Sequence, residues 1–145
     1  MPAGGPRIVV GVDGSASSRS ALRWAVGQAR LTGGTVDAVI AWHLPVMLRN
    51  QNWAPIYAEE AGDFAADARK RIDAAISAEV EPADSHLVRT HVVHGHPAQV
   101  LLDVAAGADL LVVGRRGHGS FAGALLGSVS QHCVQHARGP VLVVR

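Results

Sequence analysis

The chain of 145 residues predicts an α/β fold: a single doubly wound domain whose parallel sheet is covered by helices on both faces. Three observations carry this. Short β-branched apolar runs alternate with segments whose apolar residues recur at helical spacing, giving β-α-β-α-β-α-β-α-β. The run "DLLVVG", Asp109 to Gly114, has no polar face and suits a strand buried on both sides. A composition of 48% hydrophobic and 17% charged residues, in a chain of this length, fits one core without staples.

Each element has a local reason. "RIVVGV" (Arg7 to Val12) is a β-branched run stopped by the turn and helix-start residues "DGSASS". From Ser17 to Leu31, Ala21, Leu22, Ala25, Val26 and Ala29 mark a helical face, and Gly33-Gly34 closes it. "TVDAVIAW" (Thr35 to Trp42) is the second strand, and the prolines and asparagines of "HLPVMLRNQNWAP" predict a surface loop. Ile56 to Ala78 is the longest expected helix, with Phe64, Ala68, Ile72 and Ile76 as its stripe and Pro82 beyond its end. The third strand is Leu87 to His94, followed by a helix over Ala98 to Ala106 that Gly107 closes. After "DLLVVG" come a glycine-rich loop, a helix over Ser128 to Ala137 and the last strand "VLVV", Val141 to Val144. No linker, low-complexity tract or repeat interrupts the series, so residues 1–145 read as one domain.

A formal net charge of +1 gives no global attraction to nucleic acid or acidic membranes, so any anion site must be local. Cys133 is the only cysteine, which excludes an intramolecular disulfide and a cysteine cluster for zinc and favours a reducing compartment. "MPAGGPR" lacks the apolar core of a signal peptide and no apolar run approaches a membrane span. The expectation is a cytoplasmic protein.

In an open doubly wound sheet, ligands bind beyond the carboxyl ends of the strands, where strand order reverses. Strand one ends in Gly11-Val12-Asp13-Gly14 and strand four in Gly114-Arg115-Arg116-Gly117. If the two are neighbours, as in the order 3-2-1-4-5, one crevice lies between them. Glycines let backbone N–H groups approach an anion, and a helix N-terminus adds unpaired donors, so phosphate is the natural guest. Ser128 stands at the expected N-cap: its hydroxyl either caps the helix or bonds a phosphate oxygen, as Ser130 could one turn in. Asp13 either accepts from ribose hydroxyls or caps the first helix. The loop lacks the G-x-x-x-x-G-K-[ST] of P-loop proteins, because Lys70, the only lysine, lies far away. Strand one does not open into G-x-G-x-x-G either.

Gly114, two residues, Gly117, nine residues, Gly127 and Ser128 together match the G-x2-G-x9-G-[ST] nucleotide motif of the universal stress protein family. "IVVGVDGS", "HGHPAQVLLDVA", "ADLLVVG" and "GPVLVV" also resemble that family, in order and across nearly the whole chain. The resemblance implies a Rossmann-like five-stranded parallel sheet of order 3-2-1-4-5 and, in the motif-bearing branch, ATP as ligand. It places Asp13 at the ribose with Val12 beside it as a binding residue, the backbone of Ala41 at adenine, and Gly114, Gly117, Gly127 and Ser128 around the phosphates. Val113, Val129 and Ser130 complete the wall. Arg116 occupies a variable position of the motif, where its charge either meets phosphate or faces solvent. The resemblance further implies a homodimer through Val141 to Val144, an apolar edge otherwise prone to aggregation.

Rival chemistry is weaker. His94 and His96 would share a strand face while His91 points away, and His132 and His136, one helical turn apart, have no carboxylate companion in sequence. No metal site is expected beyond a magnesium ion accompanying ATP, for which Asp13 is the candidate ligand. Cys133 reads as a buried structural thiol, and Trp24, Trp42 and Trp53 as core or loop anchors, with Trp42 also near the adenine position. Phosphoryl transfer needs a residue that orients the nucleophile, and none is evident near the loop. The reading is therefore an ATP-binding regulator or sensor of the stress response, with a cyclic AMP binder or a slow ATP-hydrolysing enzyme as alternatives.

Overall fold

The computed structural model describes residues 4–44, 58–117 and 126–145. Strands β1 (Arg7–Gly11), β2 (Thr35–Trp42), β3 (Val88–His94), β4 (Leu110–Gly114) and β5 (Val141–Val144) form one sheet in the order β3-β2-β1-β4-β5. Every pairing is parallel, with Ile8 opposite both Val36 and Leu110. The helices are α1 (Ala16–Thr32), α2 (Ala58–Glu79), α3 (Pro97–Val104) and α4 (Ser128–His136). The expected order and the Rossmann-like architecture are both present.

The sheet divides the core into two layers because alternate strand residues face opposite ways. Ile8, Val10, Val36, Ala38, Ile40 and Val112 pack against Leu22 and Val26 of α1 and against Ala68, Ile72 and Ala75 of α2. Val9, Val39, Leu111 and Val113 pack against Val100 and Leu101 of α3 and Cys133 of α4. Strands β1, β2 and β4 thus need apolar residues at nearly every position, which is why they read as continuous runs. Ser15 starts α1 by accepting from the Ser18 N–H, and Gly33 ends it in the left-handed region at φ 71, where a side chain would be strained.

Several boundaries differ from expectation. Pro82 does more than follow α2: it opens a 3-10 turn over Pro82–Leu87, its missing N–H being no loss at a first helical position. That turn takes Leu87 out of β3. Helix α3 stops at Val104, with Ala105 as its cap. Ile56 and most of the expected 43–55 loop lie outside the described residues. Trp24 is 39% exposed on α1 and is no core anchor, whereas Trp42 packs on the α1/α2 side of the core and stacks on His94 with ring centres 4.4 Å apart. Trp53 lies outside the described residues.

Candidate functional site

Strand order reverses between β1 and β4, which pair directly through Val10 and Val112. Beyond their carboxyl ends lies a cleft of about 290 Å³. Val12 and Asp13 line it from β1, Ala41 from β2, and Val113, Gly114, Arg116 and Gly117 from β4 and its following turn. Ser128, Val129 and Ser130 close it from the start of α4. Gly127 is not among the lining residues. The cleft also takes in Gly11, Val39 and His43 from strand ends, Pro97 and Leu101 from α3, Ser18 from α1 and Arg71 from α2. The strand-end residues were within reach of the strand-end rule; Arg71 had no signal in sequence, because only tertiary packing decides which face of α2 meets the cleft.

The two glycines that open the motif have different reasons to be glycine. A Cβ on Gly114 would sit 2.7 Å from both Ser17 C and Ser18 N, so the first turn of α1 fills the space where a side chain would stand. A Cβ on Gly117 would instead meet the Asp13 Oδ2 atom at 2.5 Å, at the end of a side chain. The first glycine permits helix and strand to touch; the second leaves room for a carboxylate at the cleft wall.

Hydroxyls fix the rim. Ser17 Oγ donates to the Arg116 carbonyl and accepts from the Arg116 N–H at 3.2 Å, tying α1 to the turn after β4. Asp13 accepts at Oδ1 from the Ser15 N–H at 2.9 Å and the Ser15 hydroxyl at 2.5 Å, and its own N–H donates to Ser18 Oγ at 3.2 Å. The cap of α1 is Ser15, so the capping alternative for Asp13 is replaced: Asp13 steadies the capping residue. Ser128 is likewise not the N-cap of α4. Gly127 holds that place in an extended conformation, its N–H donates to the Arg115 carbonyl at 2.8 Å, and Ser128 is the first helical residue. Ser130 is 3% exposed and directs its hydroxyl hydrogen at the Gly114 and Arg115 carbonyls, 2.8 and 3.1 Å away. It binds the strand end to the helix, and only its lone pairs face elsewhere.

The donors that fit an anion are the glycine-flanked backbone, the first turn of α4 and Arg116. The Arg116 Nε is buried without a hydrogen-bond partner among the described residues, a state that is costly unless a further acceptor joins it. A phosphate-bearing ligand with its anion toward Arg116 fits this set, and Asp13 lines the same cleft.

Cys133 is fully buried, and that burial pushes its thiol up to about 11. His132 and His136 stack with ring centres 4.3 Å apart, His91 bonds Asp37, and no group of three metal-ligating side chains occurs among the described residues. Asp37, 1% exposed within β2, is an unforeseen feature. It accepts from Arg7 Nε at 2.7 Å, bonds His91 Nε2 at 2.9 Å and pairs with Arg89 at 3.2 Å. Burial raises its pKa, but the His91 and Arg7 hydrogen bonds and the charges of Arg89 and Arg7 outweigh this and hold it below 3.8.

The fold and cleft define a class: a doubly wound α/β domain with an anion-compatible crevice at its switch point. Within that class, the model of the Universal stress protein family matches residues 6–145, and the chain belongs to that family. It is 33% identical over 150 residues to a universal stress protein of Mycobacterium tuberculosis and 31% identical over 148 residues to one of Mycolicibacterium smegmatis. Each alignment covers 94% of this chain and 47% of the relative, so the chain spans about half the length of these relatives. Among solved structures, the Lactobacillus plantarum universal stress protein UspA aligns at TM-score 0.72 and 22% identity over 99% of both chains. A universal stress protein solved in complex with cAMP aligns at TM-score 0.63 and 28% identity, over 99% of this chain and 98% of its own. No helix among the described residues is long and apolar enough to cross a membrane.

Proposed function

We propose that this chain is one ATP-binding universal stress domain, residues 1–145, acting in the cytoplasm as a nucleotide-dependent regulator or sensor of the stress response. The observation that carries the reading is the glycine-walled cleft at the β1/β4 switch point, with the buried Arg116 Nε at its rim. In this reading Val12 and Asp13 face the ribose, Ala41 faces adenine, and Gly114, Gly117, Gly127 and Ser128 surround the phosphates. Val113, Val129 and Ser130 support that wall. Magnesium would enter with ATP beside Asp13. In this reading occupancy, rather than turnover, is the signal; slow hydrolysis is the enzymatic variant.

A second ligand is favoured by one observation: the similar protein solved with cAMP. Calorimetric titration of ATP and cAMP in parallel decides between them. Tighter binding of ATP supports the reading, tighter binding of cAMP replaces the ligand, and binding of neither removes the site assignment.

The reading includes a homodimer through β5. Val141 to Val144 form an edge strand with every residue partly exposed, and its apolar side chains offer a second copy both backbone and hydrophobic contacts. Leu142→Lys should convert the assembly to monomer in light scattering after gel filtration; a wild type that is already monomeric refutes the dimer.

A further inference from the structure

We infer that His43, the residue after the last of β2, stacks on the adenine base and closes the base end of the cleft, an inference that rests on the nucleotide reading above. Val39 and Ala41 face the α3 side of the sheet, and His43 continues their alternation to line the same cleft. Trp42, between Ala41 and His43, turns the other way and packs in the α1/α2 layer against His94. The ring that a base can meet is therefore that of His43, not that of Trp42. No other aromatic side chain lines the cleft among the described residues.

Strand β1 lies between β2 and β4, so the cleft has two sides of different chemistry. Toward β4, the motif glycines, Arg116 and the first turn of α4 make the anion side, where the phosphates sit in this reading. Toward β2, Val39, Ala41, Pro97 and Leu101 make an apolar side that suits a flat base and offers nothing to a phosphate. His43 stands at the rim of this apolar side with its side chain exposed. His96 meets it there, the ring centres 6.2 Å apart and the planes 30° from parallel, within the range at which aromatic pairs attract. As the N-cap residue of α3, His96 makes no side-chain capping bond; its ring backs that of His43 instead. A base between Ala41 and His43 is thus covered where it would otherwise face water.

The test is calorimetric titration of ATP and of cAMP, which share the base, against wild type, His43→Ala, His43→Phe and His43→Gln. Because the side chain is exposed, each variant without ligand should melt within about 2 °C of wild type. His43→Ala should weaken every nucleotide that wild type binds about tenfold, and His43→Phe should stay within about twofold of wild type. His43→Gln, which keeps a polar group but no ring, should match His43→Ala. The inference is overturned if His43→Ala binds within about twofold of wild type, or if His43→Phe binds no better than His43→Gln, which would make the contact a hydrogen bond rather than a stack. If wild type binds neither nucleotide, the nucleotide reading itself fails; if wild type binds and the ring makes no difference, only the role of His43 does.

Discussion

Gly114→Ala and Gly117→Ala should separate a folding glycine from a ligand glycine. At position 114 the new methyl lies 2.7 Å from two backbone atoms of α1, which cannot rotate away, so helix and strand must part. Overpacking of this kind costs about 2 kcal/mol, which for a domain of this size lowers Tm by about 6 °C. At position 117 the only close contact is Asp13 Oδ2, and turning that carboxylate off its rotamer costs about 1 kcal/mol, or about 3 °C. With ATP at a hundred times its wild-type Kd, linkage raises the wild-type Tm by about 8 °C. A displaced Asp13 that weakens ATP tenfold would cut that rise in Gly117→Ala to about 4 °C. Thermal unfolding with and without ATP measures both effects. The reasoning is refuted if Gly114→Ala melts with wild type, or if Gly117→Ala keeps the full ATP shift while losing as much stability as Gly114→Ala.

Two further outcomes follow from the buried groups. Asp37→Asn should lower stability at pH 7 by about 2 kcal/mol, less than a fully buried pair would lose because Arg7, Arg89 and His91 are partly exposed. Because the folded Asp37 titrates below 3.8, its stabilisation is complete above that pH and lost as the pH falls through the folded value, so the gap between wild type and variant should narrow below pH 3.8. A gap constant down to the acid unfolding of both proteins would contradict this in denaturant titrations. Cys133 should resist a thiol reagent such as dithionitrobenzoate in the native protein and react at once in denaturant; rapid native labelling would show that α4 opens readily.

The fold was legible because burial on both faces forces long apolar runs, and β1, β2 and β4 announce themselves that way. Turn chemistry marked the ends of α1 and the start of the last strand equally well. The Pro82–Leu87 turn escaped because six polar-rich residues carry no period, and Trp24 escaped because an aromatic on a helix says nothing of which neighbour covers it. Most of the cleft residues predicted from the chain do converge, since strand ends are local features. What stayed hidden is long-range: Asp37 finds its partners 30 residues before it and 54 after it, and Arg71 enters the cleft from a helix with no motif. The Ser128 cap was misplaced by one residue because the serine and glycine at that junction are both acceptable caps, and only backbone geometry separates them.

One bond at the rim has a reach beyond the cleft. The Arg115 N–H donates to the Val144 carbonyl at 2.6 Å, while the Arg115 carbonyl receives the Gly127 N–H at 2.8 Å. A single residue therefore joins the end of the edge strand to the start of α4. Deuterium uptake at the Arg115 amide reports opening at the edge strand, and uptake at the Gly127 amide reports opening at the start of α4. Events at the crevice and at the sheet edge can thus be timed against each other by two exchanging protons that meet at one residue, in the unlabelled, unmutated chain.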